Sequence, residues 1–354
     1  MNQEKLLNIF RPSRIILPIS IAVVVWTLLS FAEYDVNTLA SINWTWHAGI
    51  WMLMAILMMV VRDVAYMYRI KVLTSEALSW KQSFQVIMLW EFASAITPSI
   101  VGGSAVAVYI VGRELNNVGK STAIVMASSL LDELFYVIMV PMLYLVVSQD
   151  ALFSIKGDPQ LQQLTNDYGL YMFGFGYIFI LTYSIIIIYA LFYNPRVIKW
   201  TFIKVFSLPF FRRWRMAAAR AGDDLIIASK ELRGKKKRFW FKAGLATFVS
   251  WTARFWVVNF LILLPLGVGL AFSDHLLIYG RQLLMWVIML VSPTPGSSGF
   301  AEVAFQVFLS EFVSSGLVTS MAILWRLISY IPYLFIGLVV LRPWIRRVYA
   351  VRDR

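Results

Sequence analysis

The stretch SPTPGSSGFAEVAF, Ser292–Phe305, decides how the whole chain is read. It follows directly on the apolar run LLMWVIMLV, yet it carries two prolines, a cluster of glycines and serines, and the carboxylate of Glu302. Proline removes a backbone donor and collides with the preceding helical turn, and glycine is a poor helix former, so a helix stops here. What such a break means depends on the solvent around it.

Composition makes that solvent a membrane. The chain has 354 residues, 60% of them hydrophobic, and its mean hydropathy is +0.71. Apolar runs long enough for a hydrocarbon layer of roughly 30 Å recur along it. The clearest are Ile15–Phe31, His47–Tyr66 and Phe173–Tyr193. The expected fold is therefore an all-α polytopic membrane protein; an outer-membrane barrel would show alternating segments of about ten residues. Arg11 and Arg14, an apolar run and SFA at Ser30–Ala32 imitate a signal peptide. That run exceeds the usual length of about 7–15 residues, so it is expected to be an uncleaved first helix. The absence of cysteine removes disulfides, thiolate metal sites and thiol nucleophiles.

The net charge of +13 is not scattered. Of the 32 Lys and Arg, 28 fall within residues 1–14, 62–81, 112–120, 194–242 and 342–354. The loops between them hold Glu33, Asp35, Asp150, Asp158, Asp167 and Asp274, with Lys156. This is the positive-inside asymmetry, and it predicts both termini in the cytoplasm. The basicity records topology, so no nucleic-acid partner is expected; membrane phospholipids are. Nothing in the sequence sets an oligomeric state.

Read from that asymmetry, a helix at about 15–31 goes out and one at about 47–67 returns. Gln82–Lys120 begins and ends on the cytoplasmic side, with TPSIVGGS in its middle. Its arms, about 15 residues before Pro98 and about 10 after Gly103, are short for a span at 1.5 Å per residue, which predicts a re-entrant hairpin. Helices at about 121–147 and 169–193 follow, then a basic loop at about 194–240 and a helix at about 241–268. After a turn at Ser273–His275 the opening stretch forms a second hairpin, entering from outside, and a last helix at about 318–341 returns. The expectation is about six spanning helices plus two re-entrant helical hairpins.

The hairpins match each other. ITPSIVGGSA, Ile96–Ala105, lies over VSPTPGSSGF, Val291–Phe300, at an offset of 195, pairing Pro98 with Pro293 and Ser99 with Thr294. Within a single transmembrane domain over 1–354, this predicts inverted-repeat halves at about 1–150 and 165–345, the basic loop lying inside the second.

In hydrocarbon an unpaired backbone amide is costly, so irregular backbone survives inside protein or beside a wet cavity. Two broken hairpins meeting from opposite sides make such a cavity, and helix N-termini aimed at it suit an anion such as phosphate. The expected lining is Pro98, Ser99, Gly102, Gly103 and Ser104 from the first, and Pro293, Thr294, Gly296, Ser297, Ser298 and Gly299 from the second. The competing reading is that small residues simply allow close helix packing.

Ionisable residues inside the expected spans are the second signal: Glu91, Asp132, Glu133, Arg254, Arg281, Glu302 and Arg326. Each costs at least about 2.5–3.5 kcal/mol near the bilayer centre, so each should face a partner or water. Arg254 and Arg326 are expected to hold a lipid phosphate, and Glu133 and Glu302 to titrate as protons move. Glu91 and Arg281 lie nearer helix ends and carry less weight. Structural ion pairs are the alternative. The basic stretch Phe211–Trp240 reads as a helical surface segment that holds anionic headgroups, at about 1 kcal/mol per basic residue, or only sets topology.

On these residues the chain resembles the lysylphosphatidylglycerol synthase transmembrane-region family, the flippase-like half of the multiple peptide resistance factor. TPSIVGGSAVAVYIVGRELNNVGKSTA, SPTPGSSGFAEVAF and LWRLISYIPYLFIG carry the resemblance. It departs in two places. Gly103 stands where the family's first hairpin has an acid, and SSLLDELF, Ser128–Phe135, replaces a Glu-Arg before an Asp. The resemblance implies a lipid transporter or flippase that moves an anionic or aminoacylated phospholipid between leaflets of a bacterial cytoplasmic membrane. Two alternatives stand beside it: a membrane component of aminoacyl-phospholipid synthesis, as the family name suggests, or a non-transporting accessory subunit of envelope lipid or glycan synthesis. An enzyme is not expected, because the longest soluble segment, about 47 residues, is too short for a synthase domain. No metal or cofactor is expected either, His47 and His275 being the two histidines, both at outer loops.

Overall fold

Each chain break expected from the sequence separates two helices in the computed structural model of the protein. It describes residues 45–97, 100–153, 169–208, 212, 215–266, 269–289, 294, 297 and 299–350. The expected first helix, about 15–31, lies outside the described residues, as do Pro98, Ser99, Pro293, Gly296 and Ser298. Among the described residues all regular structure is helical.

Helix α1 is Trp46–Leu73 and α2 is Trp80–Ile96. A reciprocal cap starts α2: the Gln82 N–H donates to Ser79 Oγ at 3.2 Å, and the Ser79 N–H donates to Gln82 Oε1 at 2.9 Å. Helix α3 covers Ile100–Leu115; α4, Val118–Tyr144, starts where Asn117 Oδ1 accepts the Lys120 N–H at 2.9 Å. The short α5 is Gln149–Phe153, and α6, Leu170–Ile188, ends in a π turn over Tyr189–Tyr193. Two helices, α7 at Pro195–Val205 and α8 at Arg215–Arg233, fill the basic loop. Then come α9, Lys237–Leu266, α10, Phe272–Met289, α11, Phe300–Leu309, α12, Val318–Ser329, and α13, Ile331–Ala350.

By length and composition, Trp46–Leu73, Gly119–Tyr144, Phe173–Tyr193, Lys237–Leu266 and Val318–Val348 can cross a membrane. Their outer faces leave Leu53, Val60, Ile178, Phe179 and Val339 more than half exposed, a surface suited to lipid tails. Inside, α1 packs along α9, α2 against α13, α3 against α4, and α10 against both α6 and α11. One continuous apolar cluster joins these helices.

The structure corrects four sequence expectations. Gly102 and Gly103 belong to the first turn of α3, so the hairpin arms are 17 and 16 residues long, near 25 Å each at the helical rise. The reason lies at Gly103: a Cβ there would meet Ser94 Oγ at 2.1 Å, so glycine lets α3 lie directly on α2. Ser273–His275 is the first turn of α10 rather than a turn between elements. The last span is two helices meeting at Tyr330, where the backbone leaves the helical region. Finally, Arg62 and Arg69, counted above among the loop charges, sit within α1 and are only 1% and 4% exposed. Their burial is possible because carboxylates from other helices come to meet them.

Candidate functional site

Those meetings surround a cavity of about 260 Å³. A single water needs only about 10–15 Å³ of such space, so the cavity has room for a ligand far larger than water. Its wall is built by α1, α2, α4, α9, α10 and α12, with Ser104 of α3, Thr294 and Ser297 from the second break, and Tyr330 and Tyr333.

The charged groups on that wall are Arg69, Arg254 and Arg326 against Glu91, Asp132 and Glu133. Four of the six are held in ion pairs. Arg69 grips Asp132 with both nitrogens, Nη1 to Oδ1 at 2.5 Å and Nη2 to Oδ2 at 3.1 Å. Glu91 receives Arg62 Nη2 at 2.5 Å, and the same guanidinium donates to Asp63 and to Tyr333 Oη. Arg326 Nε lies 3.1 Å from Glu302 Oε1, and its guanidinium covers the Tyr330 ring at 3.9 Å. The other oxygen of Glu302 accepts the Gly299 N–H at 2.7 Å, which pins the start of α11. Gly299 has φ 85°, a conformation that L side chains rarely adopt and that glycine supplies.

Arg254 and Glu133 are different. Among the described residues neither has an ion-pair partner. The Arg254 guanidinium rests over Trp286, 4.4 Å from the ring centre, with Trp251 at 5.4 Å. That holds the cation at the wall while leaving its donors to the cavity. Glu133 lies one turn before Tyr136, whose hydroxyl is buried without a hydrogen-bond partner among the described residues. Cation, carboxylate and orphan hydroxyl thus share one chamber, rimmed by Ser94, Thr97, Ser104 and Ser129. A guanidinium and hydroxyl donors of this kind suit phosphate oxygens.

Of the residues expected from sequence, Glu91, Ser104, Asp132, Glu133, Arg254, Thr294, Ser297 and Arg326 are on this wall. Glu302 stands behind Arg326, while Gly102, Gly103 and Gly299 shape the backbone around the two breaks. Arg281 stands apart: it is 1% exposed, pairs with Glu311 at 3.0 Å, and donates to the carbonyls of Phe308 and Ala151. Sequence reasoning missed Arg62, Asp63, Tyr66, Arg69, Tyr136 and Tyr333. Positions 62, 66 and 69 share one helix face, and that spacing was the available signal.

A family model described as lysylphosphatidylglycerol synthase TM region matches residues 15–337. A UPF0104 membrane protein of Archaeoglobus fulgidus is 27% identical over 266 residues, covering 73% of this chain and 75% of that protein. No solved structure matches. Gly103 has no room for a side chain beside Ser94. With its apolar helices and a match running through both breaks, the chain is a multi-pass membrane protein that belongs to the lysylphosphatidylglycerol synthase TM-region family.

Proposed function

We propose that this protein moves a phospholipid with an anionic or aminoacylated phosphate headgroup between membrane leaflets, the headgroup passing through the central cavity. The observation that carries this reading is Arg254, a guanidinium stacked on Trp286 at the cavity wall with no ion-pair partner among the described residues. A structural arginine in a membrane protein is held by a partner, as Arg62, Arg69 and Arg281 are. One that faces polar space without a partner is placed for a ligand. The family name points to aminoacylated phosphatidylglycerol as the first lipid to test beside plain phosphatidylglycerol.

The finer architecture in this reading is two re-entrant hairpins within an inverted repeat. Matched packing supports it: α2 against α13 has its counterpart in α10 against α4, and α1 against α4 in α9 against α12. The ends carrying α7, α8 and Lys235–Lys237 face the cytoplasm, together with both termini, by the positive-inside rule. The membrane is the cytoplasmic membrane, and the protein acts as a transporter rather than an enzyme.

The test is purified protein in vesicles carrying fluorescent phosphatidylglycerol or its lysyl ester, with a quencher that reaches one leaflet. Wild type is expected to expose lipid from both leaflets, and Arg254→Gln to fall towards empty vesicles. Wild type no faster than empty vesicles with every lipid, or Arg254→Gln equal to wild type, rejects the reading.

A further inference from the structure

On the cavity wall one cation and one carboxylate, Arg254 and Glu133, stand outside any ion pair among the described residues and balance each other. An anionic headgroup that enters upsets that balance by one charge in a setting of low dielectric, where an uncompensated charge is expensive. We propose that entry of an anionic headgroup is coupled to the uptake of one proton by Glu133, so that anion and proton cross together. The inference rests on the lipid-moving reading above and adds the ion that accompanies the lipid.

Geometry singles out Glu133 among the carboxylates. Protonating Asp132 would break its two-pronged pair with Arg69, and protonating Glu91 would strip a partner from the buried Arg62. Glu302, the other carboxylate expected to titrate, is fixed by Arg326 and by the Gly299 N–H. Glu133 alone on this wall takes a proton without breaking an ion pair. On its own helix it has Asp132 beside it and Tyr136 one turn on, the latter with an orphaned hydroxyl. From the helices packed on α4, Tyr66 and Arg69 come from α1 and Arg254 from α9, while Tyr183 of α6 lies within electrostatic reach. Trp286 of α10 and Ser104 of α3 are uncharged, and α8 brings no group to the wall.

The proton comes from the water on the side where the headgroup enters and leaves with it on the other. Charge is then conserved in the chamber: Arg254 and Tyr136 donate to the phosphate oxygens while Glu133 is neutral. A negative headgroup crossing alone moves charge through the membrane potential, with an energy in proportion to that charge; anion and proton together move none.

The test uses full-length protein in detergent and glycerophosphoglycerol, the water-soluble headgroup of phosphatidylglycerol, as the probe. Its affinity is measured by calorimetry at a series of pH values, in two buffers with different heats of ionisation, which counts protons taken up. In wild type, affinity is expected to fall about tenfold per pH unit on the alkaline side, with one proton taken up per headgroup. Glu133→Gln should bind with a flat profile and no proton uptake, while Glu133→Asp keeps the slope. Melting temperatures of all three show whether the variants are folded; if Glu133→Gln is not, the Asp variant and the wild-type proton count decide. Wild-type binding without proton uptake, or uptake that survives in Glu133→Gln, overturns the coupling and leaves the lipid-moving reading in place. No binding at any pH removes the coupling, and the vesicle assay then decides separately on lipid movement.

Discussion

Arg69 and Asp132 join three helices at one carboxylate. The guanidinium reaches both oxygens from α1, at 2.5 and 3.1 Å, while Trp251 Nε1 of α9 donates to Oδ1 at 2.7 Å. Arg69 also donates to Thr247 of α9 at 3.1 Å. Asp132→Asn leaves a buried guanidinium uncompensated, so a loss of about 3–5 kcal/mol is expected, read as a lower melting temperature in detergent. Arg69→Met combined with Asp132→Leu should recover part of that loss. An Asn variant that melts with wild type would show that the pair does not hold these helices.

Arg254 predicts the opposite division between stability and activity. Its removal strands no carboxylate, so Arg254→Gln should melt close to wild type. Losing a charge-assisted hydrogen bond of about 1.5–3 kcal/mol should weaken headgroup binding roughly ten- to a hundredfold. Arg254→Lys keeps the charge but not the planar fork, and should fall between the two. Titration with a soluble phosphodiester, alongside thermal melts, separates these outcomes.

Glu302 and Gly299 act together at the second break. Gly299→Ala forces a side chain into φ 85°, at an expected cost of about 1–3 kcal/mol. Glu302→Ala should be worse, because it releases both the Gly299 N–H and Arg326. Protease cleavage between α10 and α11, faster in both variants than in wild type, is the measurement. Equal cleavage would show that this contact does not order the break.

Gly103 tests the close approach within the first hairpin. A Cβ there lies 2.1 Å from Ser94 Oγ and 2.9 Å from Ser94 Cα, so moving the hydroxyl is not enough and the two arms must separate. Gly103→Val should destabilise by about 1–3 kcal/mol, and Ser94→Gly should restore part of it. A wild-type melting temperature for the single variant would place α3 further from α2.

The breaks were legible because their cause is local. Proline and glycine in LVSPTPGSSG interrupt a helix whatever surrounds it, and the structure separates α10 from α11 there. Apolar length likewise marked the segments now seen as α1, α4, α6, α9 and the α12–α13 span. The basic stretch reads as helical, and α8 forms within it. Arg62 and Arg69 were not placed, because their charge resembles that of the loop after them and only their neighbours bury them.

Residue order alone specifies a helical membrane protein with two interrupted segments and an unusual number of charges within its spans. Those properties follow from backbone sterics and from the transfer of single residues between water and lipid, which neighbours along the chain suffice to set. Helix packing sets the rest: Asp132 takes Arg69, Glu302 takes Arg326, and Glu133 and Arg254 remain without an ion-pair partner among the described residues. An ion pair depends on a few ångströms between residues far apart in the chain, and that separation exists once helices have packed.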